Sequence, residues 1–449
     1  MQHKIVFIFL LLTYGTVNAQ TSSVTPFSSQ GLGEISFYGD AYFTGLGGSS
    51  VALIDSSQVN LFNPSSYSFV ASGLPLFSMG ITHQESEFTQ GDLSSRQRFS
   101  SITHMALVVP FGKRFGLGFG LKPFSRTGYE INSHEIVNND SIFYDYSGRG
   151  EIQEFLVGFS VKLVNNMNHR LAIGANGKRY FGRIENQRMA YRKINQAMVG
   201  AQDQRFLQSG SFGYEFGGTY RFTPSSKHTL TLGGYYRNTQ DLSMSNVTTR
   251  VHFTDFGNVN SYDTISPYFK DDGSVSLPEK MTFGFAYEFK ASRDSASRRG
   301  RLPSIMFTGE YTSEPWSEYR ENFDNTTQII NYFDSYSLRL GLQYLPHRDI
   351  LERTSYISFF QKWSYRLGAY QVNLPYIAQN GQVTDRGLSF GIGMPIVMSR
   401  TVSMINLSFN YGERGAAGEG VMRENYIGVN FGVNIAPSYD KWFRKYQLD

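Results

Sequence analysis

The sequence predicts an all-β protein, a transmembrane antiparallel β-barrel of about 14 strands with an N-terminal hatch (plug) segment. Three observations predict this class. Apolar side chains recur at every second position along most of the chain, short and long connections alternate between these stretches, and the N-terminus carries an export signal. A period of two places alternate side chains on opposite faces of a β-strand.

The stretch 281–290, MTFGFAYEFK, is the clearest example of this periodicity. Phe283 and Phe285 share one face, whereas Gly284 and Glu288 lie on the other. An apolar face opposite a small or polar face is typical of a barrel strand whose apolar side meets lipid. Fourteen stretches repeat the pattern: 74–88, 100–111, 115–129, 151–164, 169–184, 207–222, 228–243, 281–290, 304–316, 335–345, 355–372, 386–397, 402–412 and 424–436.

Long and short connections alternate along the chain. The connections 130–150, 185–206 and 245–276 are long, whereas 112–114 and 165–168 are short. Short turns at one end and long loops at the other are typical of outer-membrane barrels. Within hydrocarbon such a sheet must close, because every backbone group needs a partner. An even number of strands then places both termini at the short-turn end, which is the periplasmic side.

Residues 1–19 are predicted to be a signal peptide. Lys4 precedes an apolar run at 5–12, and the segment 17–19, VNA, supplies a small-residue cleavage site. The apolar run is too short for a membrane span, which needs about 20 residues. Together with the barrel pattern, this signal predicts the outer membrane of a Gram-negative-type (diderm) bacterium.

The composition excludes several other classes of function. Charged residues make up only 17% of the chain, against about 25% in soluble domains. The net charge of +4 is too small to indicate a nucleic-acid partner. The absence of cysteine excludes thiolate chemistry and cysteine-based zinc sites. Because the eight histidines are scattered and no G-x-S-x-G element occurs, we expect no enzyme active site, no cofactor and no metal.

The mature chain is predicted to divide into three parts. Residues 20–73 are rich in Ser, Gly and Asn and do not alternate. A barrel of fourteen strands encloses a wide lumen unless something fills it, and inward glycines leave room for a plug. We therefore predict a hatch at 20–73 inside a barrel at 74–436. Residues 437–449 form a basic-aromatic periplasmic tail that contacts either the membrane interface or a partner protein.

A motif in the N-terminal segment comprises Gly45, Gly47, Gly48, Ala52, Asp55, Asn63, Pro64 and Ser65. It resembles the hatch of FadL-type outer-membrane transporters of long-chain fatty acids and other hydrophobic compounds, a family that includes PorV-like barrels. That hatch runs from a glycine-rich turn, through Ala with acidic and Ser residues, to Asn-Pro-Ala. Here Ser65 replaces the usual Ala, and Asp55 is the only acidic residue where two are common.

The third strand, FGLGFGLKPFSRTGYE, contains Pro123. Proline removes a ladder hydrogen bond and is normally confined to edges and bulges. In FadL-type transporters a kink in the third strand opens a lateral window for a hydrophobic ligand. The resemblance therefore implies a kink and a lateral opening that involve Lys122, Pro123, Phe124 and Gly128. The alternative is that Pro123 lies near the extracellular rim, where the strand has already left its ladder.

Two functions remain open at this stage. The resemblance implies a channel for uptake of long-chain fatty acids or other hydrophobic small molecules, through the hatch and the lateral opening at strand three. The alternative is a non-transporting FadL-like barrel subunit of an outer-membrane protein assembly or type 9 secretion complex. Outer-membrane lipid is a partner in both cases. In the second, the long loops, the 291–303 turn and the tail would contact other outer-membrane or periplasmic proteins.

Overall fold

The computed structural model describes most of the chain. The described residues are 25–35, 40–71, 74–137, 140–194, 197–256, 258, 261–292, 302–324, 326–351, 358–378, 381–398, 401–416 and 421–437. The predicted signal peptide, most of the 291–303 turn and nearly all of the 437–449 tail lie outside these ranges. Among the described residues, no helix has the length and hydropathy needed to cross a bilayer.

Fourteen antiparallel strands form one closed barrel, which confirms the predicted fold class. Each strand pairs with the next along the chain, and the last pairs with the first, with Ile435 opposite Phe77. The strands are β1 (Leu76–Gln90), β2 (Leu93–Phe111), β3 (Phe115–Val137), β4 (Asp140–Asn165), β5 (His169–Ile194), β6 (Ala197–Ser209 and Phe212–Ser225), β7 (His228–Arg237 and Gln240–Phe253), β8 (Tyr262–Leu277 and Lys280–Lys290), β9 (Ser304–Glu314), β10 (Ser335–Leu345), β11 (Ser364–Ala378), β12 (Gly381–Met398), β13 (Thr401–Gly415) and β14 (Arg423–Ile435).

The two faces of the wall carry the predicted side chains. On β8, Phe283 is 62% exposed on the outside, whereas the neighbouring Thr282 is 5% exposed on the inside. The same outward apolar band continues around the barrel, for example at Phe159 and Leu340. Such a band fits hydrocarbon, and an inward face of glycine and polar residues fits a filled lumen. We call the end where β1 begins and β14 ends the near end, and the opposite end the far end.

The prediction of long loops at 130–150, 185–206 and 245–276 is wrong. These residues extend the strands, since β3 and β4 remain paired as far as Val137 and Asp140. A strand needs about 9–11 residues to cross hydrocarbon, yet β4 and β5 have 26 residues each. The sheet therefore rises well beyond a bilayer at the far end. Polar residues occupy both faces of the extension, so an apolar period of two does not reveal it.

The chain leaves the wall at two further places. After β9, a short 3-10 turn at Trp316–Glu318 leads into a hairpin of Arg320–Phe323 and Thr326–Ile329, whose first strand pairs with β8. Strand eleven begins at Ser364 rather than near residue 355, because Phe359–Lys362 form a 3-10 helix.

Candidate functional site

Residues 40–71, which we call the lumen segment, follow the inside of the wall nearly all the way round. The contacts run in reverse strand order: Asp40 lies against β14, Gly45 against β12, Gly47 against β11, Val51 against β8 and β7, and Pro64 against β5. The segment begins with one turn of helix and ends with a 3-10 helix, both buried. Most of its residues are buried, so the segment fills much of the lumen at this level.

Inward glycines allow the segment to lie directly on the wall. A Cβ atom at Gly174 would be 2.6 Å from the carbonyl carbon of Pro64. A Cβ atom at Gly368 would overlap the backbone nitrogen of Gly47. Neither backbone has room to move away in a close-packed interior, so the wall and the segment fit only where the wall lacks side chains.

The glycine-rich part of the predicted hatch motif forms a tight turn against the wall. Gly47 and Gly48 have φ angles of +70° and +82°, in the left-handed region that favours glycine. Gly48 lies beside the side chain of Arg339 on β10. Ala52 packs in a buried cluster with Phe43 and neighbouring apolar residues. Sequence reasoning placed these positions in one motif, and the structure brings them to β7 and β10–β12.

The remaining motif residues lie nearer β5 and β6. Asn63 caps the 3-10 helix Pro64–Phe69, since its side-chain oxygen accepts the Ser65 N–H at 3.1 Å. The Asn63 amide group also donates to the Val51 carbonyl at 2.7 Å, which ties the start of the 3-10 helix to the middle of the segment. Asp55 accepts the backbone N–H of Ser57 at 2.8 Å and so holds a local turn.

Glu310 on β9 fixes the middle of the lumen segment. One of its oxygens accepts the backbone N–H groups of Ser50 at 2.6 Å and Val51 at 2.7 Å. The other oxygen accepts a hydrogen bond from the Arg339 guanidinium at 3.0 Å. The Glu310 side chain is 2% exposed. A buried carboxylate that holds two N–H groups and a guanidinium is one of the stronger polar contacts available to a protein.

A second group of charges runs along the inner face of the wall, over the four adjacent strands β3 to β6. The Lys178 ammonium lies 3.1 Å from Glu154 and 2.5 Å from Glu215, and Lys122 lies 2.9 Å from Glu154. The two lysines balance the two glutamates. Next to them is a cavity of about 80 Å³, which has room for a few waters but not for an elongated ligand.

Two tyrosines of the lumen segment keep their protons at ordinary pH. Burial raises the pKa of the Tyr67 hydroxyl, and the Glu215 carboxylate raises it further. Burial also raises the pKa of Tyr42. The protonated Tyr67 hydroxyl donates to the Asn176 side chain at 3.1 Å, so this contact between the segment and β5 does not depend on pH in the physiological range.

A buried apolar cluster lies inside the barrel, toward the far end. Phe27 and Leu32 pack there among buried residues that include Tyr319 and Tyr332, which lie in the connection between β9 and β10. The Tyr376 hydroxyl donates to the Gly33 carbonyl at 2.9 Å and accepts the Ile35 N–H at 3.1 Å. Phe27, Leu32 and Ile35 therefore form part of a hydrophobic core.

The wall has a seam between β2 and β3. The two strands pair only from Phe111 opposite Phe115 to Met105 opposite Leu121. Beyond that point, toward the far end, no described backbone pairing joins β2 to β3. The ladder between β3 and β4 is irregular between Pro123 and Ser125, where Phe124 is the extra residue.

The residues predicted for a strand-three kink lie at the start of this seam. Phe124 points inward and contacts the Tyr180 ring with centroids 4.8 Å apart. Lys122 points inward to Glu154. Gly128 donates its backbone N–H to the Ser28 hydroxyl at 3.0 Å. Three residues of the predicted set thus have partners inside the barrel, at the place where β2 separates from β3.

Arg126 bridges the seam, and sequence reasoning did not identify it. Its guanidinium donates to the Ser101 hydroxyl at 2.6 Å and to the Ile102 carbonyl at 3.1 Å, both on β2. The side chain is 4% exposed. The two-residue strand Glu34–Ile35 pairs with Arg126 and Ser125, on the edge of β3 that β2 has left. No sequence signal marks this residue, because the alternation that begins at Phe115 would place Arg126 on the inward face, and only the irregularity between Pro123 and Ser125 changes that phase.

A cavity of about 770 Å³ opens at the far end beside the seam. Leu93 of β2, Ile131 of β3, Phe27 and Met422 contribute apolar surface to it, and Arg149 contributes charge. The cavity borders the apolar cluster, since Phe27 belongs to both. Among the described residues, no cluster of acidic or histidine side chains could hold a metal ion.

Comparison with known proteins identifies the family. A family model described as BamG matches residues 1–449. The chain belongs to the BamG family. No curated protein matches it in sequence.

This BamG-family chain shares its fold with several solved structures. A FadL homologue of Pseudomonas aeruginosa is 12% identical, with 89% of this chain and 98% of that chain covered and a TM-score of 0.56. The Pseudomonas putida toluene transporter TodX is 14% identical, with 91% and 99% covered and a TM-score of 0.55. The Ralstonia pickettii toluene transporter TbuX is 12% identical, with 88% and 97% covered and a TM-score of 0.52. At such identities the likeness establishes a FadL-like barrel fold, not a shared ligand.

Proposed function

We propose that this chain is a non-transporting FadL-like barrel and a fixed subunit of an outer-membrane protein assembly complex. The observation that carries the proposal is the filled lumen, in which residues 40–71 contact strands on all sides. The name of the matched family, BamG, suggests a subunit of an assembly complex and favours the same function. The outward apolar band supports a place in the outer membrane.

Passage through the lumen would require many buried contacts to break together. Release of the segment at Glu310 would leave the N–H groups of Ser50 and Val51 and the Arg339 guanidinium without their partner. Each buried polar group left unsatisfied costs about 1–3 kcal/mol, and a charged group costs more. The segment therefore behaves as part of the core. The outer surfaces of the barrel, rather than its lumen, then carry the function.

The proposal includes the arrangement of the chain across the membrane. Residues 1–19 are removed as a signal peptide, 20–73 form the hatch, 74–436 form the barrel, and 437–449 form a tail. The near end faces the periplasm, so that both termini, the tail and the 291–303 turn are available to periplasmic partners. The extended strands of the far end then stand above the outer surface of the membrane.

Purification in mild detergent tests the proposal. A tagged chain expressed at its native level will be recovered from its own outer membrane in a complex of fixed stoichiometry with other membrane proteins. A similarly tagged, unrelated porin from the same membrane is the control and should not recover that set of proteins. Recovery of the chain as a solitary barrel, in several mild detergents, would contradict the proposal.

Uptake of a hydrophobic small molecule is the second candidate function. The cavity of about 770 Å³ beside the seam is the specific observation that favours it, because ligand pockets commonly have this size. A ligand bound there could leave sideways at the residues around Pro123 rather than through the lumen. The same purification separates the two functions, since a solitary barrel that carries bound hydrophobic ligand would favour uptake.

A further inference from the structure

Within the part of the chain that the structure describes, the far-end part of β3 has a free edge. Residues 129–137 pair with β4 along one side, and no described residue pairs with their other side. Residues 130–137 are exposed, including Ile136 at 70%. An exposed strand edge presents a row of unpaired N–H and C=O groups and is a template for another strand. Most proteins protect such an edge, for example with proline or with a covering element.

The structure shows which backbone groups face the free side. The N–H of Gly128 points away from β4, because it donates to Ser28, and the Gly128 carbonyl accepts from the same hydroxyl. In an antiparallel strand the N–H and C=O of one residue point to the same side, and successive residues alternate. The N–H groups on the free side beyond Gly128 therefore belong to Glu130, Asn132, His134 and Ile136.

The chain itself adds a strand to this edge. Glu34 and Ile35 pair antiparallel with Arg126 and Ser125, directly below the free part. The added strand does not continue upward, because Gly33 has a φ of +82° and turns the chain into the lumen. The edge thus accepts an extended segment, and the chain's own segment stops where the exposed part begins.

We propose that the edge of β3 at residues 129–137 binds an extended segment of a partner protein by strand addition. The proposal rests on the proposed function, because the partner is another subunit of the complex. Main-chain hydrogen bonds supply affinity in this mode, and side chains on alternate positions supply specificity. Ile131, Ile136 and Val137 give the added segment apolar side chains to pack against.

Paired proline and alanine variants test the proposal. The change Asn132→Pro with His134→Pro removes two donors from the free side and leaves the N–H groups that face β4 in place. The change Asn132→Ala with His134→Ala is the matched control, since it alters the same side chains and keeps both donors. Each variant is purified from its own membrane, and retention of the fast-migrating folded band on unheated gels shows that the barrel is intact.

At least one subunit of the complex should co-purify with the proline variant in an amount at least ten-fold lower than with the wild type. The alanine variant should retain that subunit at the wild-type amount. In addition, a cysteine introduced at Asn132 in the native chain, which has none, should cross-link to that same subunit. A folded proline variant that keeps every subunit would overturn the proposal and leave the subunit function standing. Cross-linking of Asn132→Cys only to a second copy of this chain would overturn it in favour of a homodimer edge. Failure of the wild-type chain to yield any complex would instead contradict the proposed function.

Discussion

Replacing Gly233 with valine will destabilise the folded barrel by about 3 kcal/mol or more. Overpacking usually costs about 1–3 kcal/mol, and this site lies at or beyond the upper end of that range. Gly233 lies on the inward face of β7, where a Cβ atom would overlap the Val51 carbonyl oxygen of the lumen segment. Both groups are backbone, so neither can rotate away. The midpoint of thermal unfolding, followed by the loss of the folded band on unheated gels, measures the effect.

The next residue supplies a matched control. Gly234 faces outward. A Cβ atom added there would have the Phe283 ring as its nearest neighbour, at 3.9 Å. Gly234→Val should therefore keep the wild-type midpoint, although it makes the same chemical change one position away. Equal midpoints for the two variants would show that the segment does not pack on the wall as described.

Replacing Glu310 with alanine will destabilise the barrel by about 3–5 kcal/mol, the cost of removing one partner from a buried charge pair. The variant leaves the Arg339 guanidinium without its carboxylate, and it leaves the N–H groups of Ser50 and Val51 without an acceptor. Urea unfolding of the detergent-solubilised protein measures the loss. We expect the lumen segment to become sensitive to protease before the wall unfolds.

Glu413→Ala is the control for this change. Glu413 pairs with Arg386 at 3.0 Å, but the two side chains are 37% and 68% exposed. An exposed ion pair contributes only about 0–1 kcal/mol, so this variant should unfold like the wild type. If the Glu310 variant were as stable as the Glu413 variant, the segment would not depend on its polar contacts with the wall.

The wall was predictable from sequence because lipid imposes a strict local rule. On the second piece of β8 every other residue is apolar, and the structure places Phe283 outside and Thr282 inside. The extensions of β3–β8 were missed for the same physical reason. Above the membrane both faces meet water, so the apolar period that marks a strand in lipid is absent.

The arrangement of the lumen could be predicted only in outline. Inward glycines and an N-terminal segment without alternation indicate a plug, but the pairing of Ser50 with Glu310 joins residues 260 positions apart. The seam is equally hard to foresee, since it is a missing pairing between two strands that each look regular. Pro123 gave a local signal for it, whereas Arg126, which bridges it, follows only from the three-dimensional register.

A disulfide between the lumen segment and the wall tests the central claim, that the hatch never moves, most directly. The hydroxyl oxygens of Ser49 and Thr308 are 2.8 Å apart, and the chain has no other cysteine to interfere. The double variant Ser49→Cys with Thr308→Cys should form a disulfide in the folded protein. The locked chain should assemble its complex and sustain growth of its host as well as the single Ser49→Cys variant does. Loss of complex assembly or of growth in the locked form, with recovery when the disulfide is reduced, would show that the segment must move and would contradict the account.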